Sequence, residues 1–345
     1  MSHAQFELLS NQALAVCGAL YFVALLAHVA EWAAGRRVPA TAVVTKVFAG
    51  HRVAALDGTP HGGTDTLAPV EGPVEDSVEE SVERMDRFAR TGLVATIAAA
   101  GVHLVAVVSR GLAADPVRVP WGNMYEFTLT GTLVVVIGYL VLYRKYQLGW
   151  LSPVVTGFVL VTLMIDALLL YAPVVTLTDA LESPWLVIHV VAAIIATGAF
   201  TIGGMASALY LVKSRWLERR AEAADGPDAP PPTGYLARLP ELAQLDRLAY
   251  QVHAFAFPIW TFAALIAGPI WARQAWGRYW GWDPKEVWAF ITWVVYAAYL
   301  HARATAGWKG RSAAIIAIVG LATLWFNFVG INFFFGSGSQ HSYSK

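Results

Sequence analysis

Apolar runs recur along this chain, each closed by a cluster of charge, proline or glycine. Eight reach the roughly 20 residues that a helix needs to cross a bilayer. They lie at about 12–34, 88–109, 124–143, 151–172, 185–212, 248–272, 286–303 and 312–335. The fifth is longer than a bilayer requires, which predicts tilt or projection into water. The first lacks a positive leading region and a small-residue cleavage site, so it reads as an anchor. The pattern predicts an all-α, polytopic membrane protein with about eight transmembrane helices in a single domain over 1–345.

Composition supports this and excludes a soluble fold. Only 14% of the 345 residues are charged and 57% are hydrophobic, whereas soluble domains carry about 25% charge. Lys+Arg and Asp+Glu balance at 24 each, so bulk charge gives no indication of nucleic acid. Sorted by loop, however, 18 of the 24 positive residues fall on one side and six on the other. The positive-inside rule then puts both termini outside. The segments 35–87 and 213–247 become cytoplasmic loops. Neither contains a phosphate-binding glycine motif; the second runs through the linker AEAADGPDAPPPTG. A single cysteine, Cys17, excludes an internal disulfide, a CxxC pair and covalently held haem.

One outside loop concentrates the chemistry. Six of the 14 tryptophans fall between Trp271 and Trp293 in WARQAWGRYWGWDPKEVWAFITW. Asp283 suits a helix N-cap, Pro284 the first helical position and Glu286 the returning partner of a capping box. Trp276, Tyr279, Trp280 and Trp282 therefore precede an anchored helix. An aromatic belt would spread over all helix ends; this cluster is one loop, 271–288, with Gly277 and Gly281 among the rings. Indoles stack on extended π-systems, so the loop predicts a large planar ligand handled at the outer surface.

The segment WGRYWGWDPKEVW resembles the tryptophan-rich WWD signature of haem-handling proteins in cytochrome c biogenesis, closest to the CcsA (ResC) type of System II. VPWGNMYEF, SPWLVIHV, YLHAR and GINFFFGSGSQHSYS resemble family segments in the family's order, covering most of 119–345. The resemblance implies that His189 and His341, flanking the loop, are the external axial pair of a bis-His haem b. It places Trp276, Trp280, Trp282, Asp283 and Trp288 around the porphyrin. It also implies that His301 receives haem at inner depth, with a partner ligand thought to come from the associated CcsB (ResB) protein.

His28 and His253 lie at similar inner depth and are alternatives for that second ligand, or satisfied polar residues of a bundle. His103 is read as structural. Asp166 is a candidate to orient a ligand histidine, with ordinary packing an equal reading. Arg278, with Arg273 and Lys285, could neutralise propionates.

The implied task is transport of haem to the outer face of a bacterial cytoplasmic membrane and its presentation to the CxxCH cysteines of apocytochrome c. The implied partners are a CcsB (ResB) protein, apocytochrome c, and a thioredoxin-like thiol reductant with its electron donor. No residue has the pattern of a general base or nucleophile. Any haem-lyase (cytochrome c synthase) activity is therefore left open between this chain and its assembly with CcsB. Two rivals remain. A permanent b-type electron carrier would call for paired histidines on one span, and none has two. A lipid-linked substrate transporter or transferase would call for acidic clusters in the outer loops.

Overall fold

The computed structural model describes residues 1–37, 73–174, 183–223 and 233–335. Among these residues all regular structure is helical. Helix α1 (His3–Ala34) starts on a capping box in which Ser2 and Gln5 exchange hydrogen bonds. It lies antiparallel to α2 (Pro73–Leu112): the Ser10 hydroxyl donates to the Ala106 carbonyl near one end, and His28 meets Thr96 near the other. Small buried residues line this pair, among them Ala13, Cys17, Ala24, Ala99 and Ala106. In lipid there is no hydrophobic drive between helices, so close approach of small residues carries the packing.

Helix α3 (Met124–Tyr143) packs on α4 (Ser152–Ile165) and on α5 (Pro184–Ala223). After the short α6 (Tyr235–Arg238), α7 (Leu242–Phe262) continues through a wide π turn, Ala263–Ala267, into α8 (Gly268–Trp276). Helix α9 (Pro284–Ala304) follows the tryptophan loop. Helix α10 (Arg311–Trp325) passes through a second π turn, Phe326–Gly330, into α11 (Ile331–Phe334). A third, Asp166–Leu170, ends α4. Helix α5 is central, touching α3, α7 and α10. Its Gly203 leaves room for the His253 ring, which a Cβ there would meet at 2.6 Å.

Seven helical stretches among the described residues are long and apolar enough to span a membrane. The expected seventh span is not one of them. It forms as α9, but Lys285, Glu286, His301 and Arg303 dilute its apolar character. At 21 residues it still measures about 31 Å. It runs the length of the bundle, from the tryptophan loop at Glu286 to an Arg303–Asp246 ion pair of 2.6 Å at the other end. That other end also gathers the expected cytoplasmic segments. Lys213 donates to the Leu239 and Pro240 carbonyls at 2.6 and 3.0 Å, Arg238 reaches the Gly35 carbonyl, and the Tyr235 hydroxyl donates to Trp150.

Candidate functional site

The opposite end of the bundle holds a cleft between α3, α5, α7, α8, α9 and α10. Its free volume is about 180 Å³, and it has an open mouth at the surface. Small-molecule sites run about 300–1,000 Å³, so a large ligand would sit partly in the mouth with one edge uncovered.

His189 stands in the wall. Its Nδ1 lies 2.9 Å from the Ala263 carbonyl, and a carbonyl only accepts, so Nδ1 carries a proton and donates it there. The Ala263 carbonyl begins the π turn, where it also accepts from the Gly268 N–H. The wide turn, of a kind frequent at functional sites, thus presents an acceptor sideways to α5. Gly268 gives the ring its place, since a Cβ there would meet His189 Cε1 and Nδ1 at 3.2 Å. On its other side His189 stacks with Trp271, ring centres 6.0 Å apart and planes 12° from parallel.

The loop forms the roof. Gly277, at φ +74°, closes α8, and Arg273 both bonds its carbonyl and lies over the Tyr279 ring. The expected N-terminus of α9 is present in full: Asp283 accepts from the Lys285 N–H, while Glu286 reaches back to the N–H groups of Gly281 and Asp283 at 2.7 and 3.1 Å. One carboxylate therefore ties the loop to its helix. Between those two anchored N–H groups Trp282 takes φ +57° and is 69% exposed. A bulky residue in the left-handed region costs about 1–3 kcal/mol and persists only where its surroundings hold it. Trp280 meets Trp282 edge to face at 5.9 Å and lines the cleft. Its buried indole N–H has no partner, and neither does the side-chain oxygen of cleft-lining Asn327. Lys285 also lines the cleft; burial lowers its ammonium pKa to about 8, with Asp283 opposing the shift.

Of the residues singled out from sequence, His189, Trp271, Tyr279, Trp280, Lys285 and Glu286 line the cleft. Trp276 packs beneath it on Trp271 at 4.8 Å, and Trp288 packs on Phe326 at 4.2 Å. Trp282 and Asp283 belong to the roof's frame, and Arg278 lies against Gly281. His301 is exposed in the last turn of α9, at the far end. His28 is buried there too, its two ring nitrogens facing Glu31 at 3.4 Å and Thr96 at 3.5 Å. His253 bonds the Ala249 carbonyl at 2.6 Å and is enclosed by Phe200, Tyr296 and Tyr299. His103 joins Tyr21 and the Leu129 carbonyl, consistent with a structural role. Among the described residues neither buried oxygen of Asp166 has a hydrogen-bond partner, a histidine included. His341 lies outside the described residues.

The wall opposite the loop was not singled out. Trp121, Asn123, Met124 and Phe127 line it, as do Trp260 and Phe328. A sequence signal existed for part of it. Asn123 precedes Glu126 by three residues and caps α3, accepting from the Glu126 N–H at 2.8 Å. Glu126 then takes Arg110 at 3.3 Å, Arg118 at 2.6 Å and the Gly122 N–H at 2.8 Å, which holds Trp121 in place.

Comparison with known proteins bears on this arrangement directly. The family described as "Cytochrome C assembly protein" matches residues 121–337. The chain belongs to that family. It is 35% identical over 248 residues to the cytochrome c biogenesis protein CcsA of Trieres chinensis, covering 65% of this chain and 77% of that one. CcsA of Synechococcus sp. strain JA-2-3B'a(2-13) is 32% identical over 311 residues, covering 75% and 87%. CcsA of Chlamydomonas reinhardtii is 39% identical over 167 residues, covering 48% and 42%. The chain is thus a CcsA-type cytochrome c biogenesis protein spanning the membrane several times. The matched region of this cytochrome c assembly protein starts at Trp121 and takes in all the cleft-lining residues. It leaves out α1 and α2.

Proposed function

We propose that this protein carries haem to the outer face of a bacterial cytoplasmic membrane and presents it there for attachment to apocytochrome c. The observation that carries the reading is His189. It is a histidine in a tryptophan-lined cleft, with Nδ1 held by a carbonyl. That is how proteins prepare an imidazole for a metal. Haem b is the substrate. His189 and His341 take its iron, with His341 assigned by resemblance, and a His pair is a common axial set.

The residues then divide the work. Trp271 supports the imidazole, Trp280 and Tyr279 cover the porphyrin, and Lys285 supplies a cation for a propionate. The open mouth leaves the vinyl edge uncovered. Addition of a CxxCH thiol across each vinyl forms a C–S bond, and the thiol proton ends on the neighbouring vinyl carbon. Positioning dominates such a step. His301, exposed at the far end, suits ligation shared with a CcsB (ResB) partner. A thioredoxin-like reductant supplies reduced cysteines.

The test is an optical spectrum of the protein purified with its partner. A bis-His haem band is expected, lost or weakened in His189→Ala and in His341→Ala. Normal haem content and normal cytochrome c maturation in both variants would refute the assignment.

A further inference from the structure

The three π turns among the described residues share a property: each abuts a hollow. Two border the cleft just described, through Ala263 and Ala264 and through Asn327 and Phe328. The third, Asp166–Leu170, borders a separate groove of about 380 Å³ through Ala167. One side of this groove is a smooth strip of α1, Ala15, Gly18 and Ala19, and the aromatic side is Tyr125 and Tyr171. Those rings meet edge to face at 5.3 Å. Ala15, Ala19, Ala167 and Tyr171 are exposed on the bundle's outer surface, so the groove opens toward lipid.

The polar atoms here are unsatisfied. Tyr125 lines the groove, is 0% exposed, and its hydroxyl has no hydrogen-bond partner. The side-chain oxygen of groove-lining Asn11 has none, although its amide donates to the Tyr171 hydroxyl at 3.2 Å. Asp166, also 0% exposed, sits beside Ala167 on the π turn with neither oxygen bonded. An unmet buried polar group costs about 1–3 kcal/mol, and the two on the groove wall, Asn11 and Tyr125, call for an occupant. The Asn11 oxygen only accepts and the Tyr125 hydroxyl can accept or donate, so the occupant must bring at least one donor. A flat strip facing aromatic rings selects a flat shape, and an opening toward lipid selects a membrane-dissolved molecule.

We propose that this groove binds a hydroquinone-class ring from the membrane, one hydroxyl donating to the Asn11 oxygen and the ring's oxygens meeting the Tyr125 hydroxyl. The site lies outside the haem cleft and does not depend on the haem reading. A lipid headgroup rich in hydroxyls shares the donor chemistry, so the experiment separates the two sources.

The full chain in phosphatidylcholine nanodiscs is titrated with decyl-hydroquinone held reduced, and thermal stability is followed. Saturable stabilisation is expected, with none from the dimethyl ether of the same ring, which lacks the donors. Tyr125→Phe is expected to weaken binding by roughly fivefold, the loss of one hydrogen bond; Asn11→Leu serves if that variant does not fold. His189→Ala leaves binding unchanged. Absence of stabilisation, an equal effect from the ether, or abolition of the effect by phosphatidylglycerol nanodiscs would each overturn the proposal.

Discussion

At the residue scale the site turns on how an imidazole is held. His189 is fixed from three directions: the Ala263 carbonyl, the Trp271 face and the bare Gly268 backbone. Gly268→Ala places a methyl 3.2 Å from the ring and 3.1 Å from the carbonyl that orients it. Forcing a side chain off its rotamer costs about 0.5–1.5 kcal/mol. Haem affinity is therefore expected to fall roughly 2- to 10-fold with expression unchanged, read as Soret absorbance per purified protein. Wild-type occupancy in this variant would mean that the ring's position is not what holds the iron. His189 itself was legible in the sequence, through its place near a span end and its neighbours in SPWLVIHV. Gly268 was not, because its role exists only once α8 lies against α5.

At the element scale the roof depends on one carboxylate. The pattern Asp-Pro-Lys-Glu foretold the start of α9, and its hydrogen bonds are in place. What the pattern omitted is the reach of Glu286 beyond its own cap to the Gly281 N–H at 2.7 Å. That bond joins the helix to a loop whose Trp282 backbone is strained. Glu286→Gln weakens both charge-assisted bonds, and lost caps cost about 0.5–2 kcal/mol. The expected outcome is a melting temperature lower by a few degrees together with reduced haem occupancy, followed by Soret absorbance on heating. A drop in stability with haem retention intact would confine Glu286 to the helix. The π turns were invisible to periodicity, since one added residue in a wide turn barely disturbs a 3.6-residue pattern over a 20-residue span.

At the scale of the whole molecule the question is sidedness. The cleft and the segments read as cytoplasmic lie at opposite ends of the bundle, and α9 connects them. The native Cys17 is buried, which gives a silent background for labelling. In intact cells an impermeant maleimide is expected to modify Tyr279→Cys, exposed at the cleft mouth. Trp308→Cys, exposed between α9 and α10, should react only after the membrane is opened. The reverse pattern would invert the topology and remove the outer-face reading.

Much of this protein is written locally. Long apolar runs, the distribution of Lys and Arg, the cap of α9 and the crowding of indoles depend on neighbours in sequence, and they determined the helices, their order and the loop that roofs the cleft. Tertiary structure decided what those elements enclose. Trp121 and Asn327 lie more than 200 residues apart and share one wall. His28 and His253 turn inward beneath Gly92 and Gly203. Ala167, next to Asp166, lines a groove that needs α1 to exist. Helix pairing in lipid follows shape at small residues rather than hydrophobicity, and shape complementarity between distant segments leaves no periodic trace along the chain.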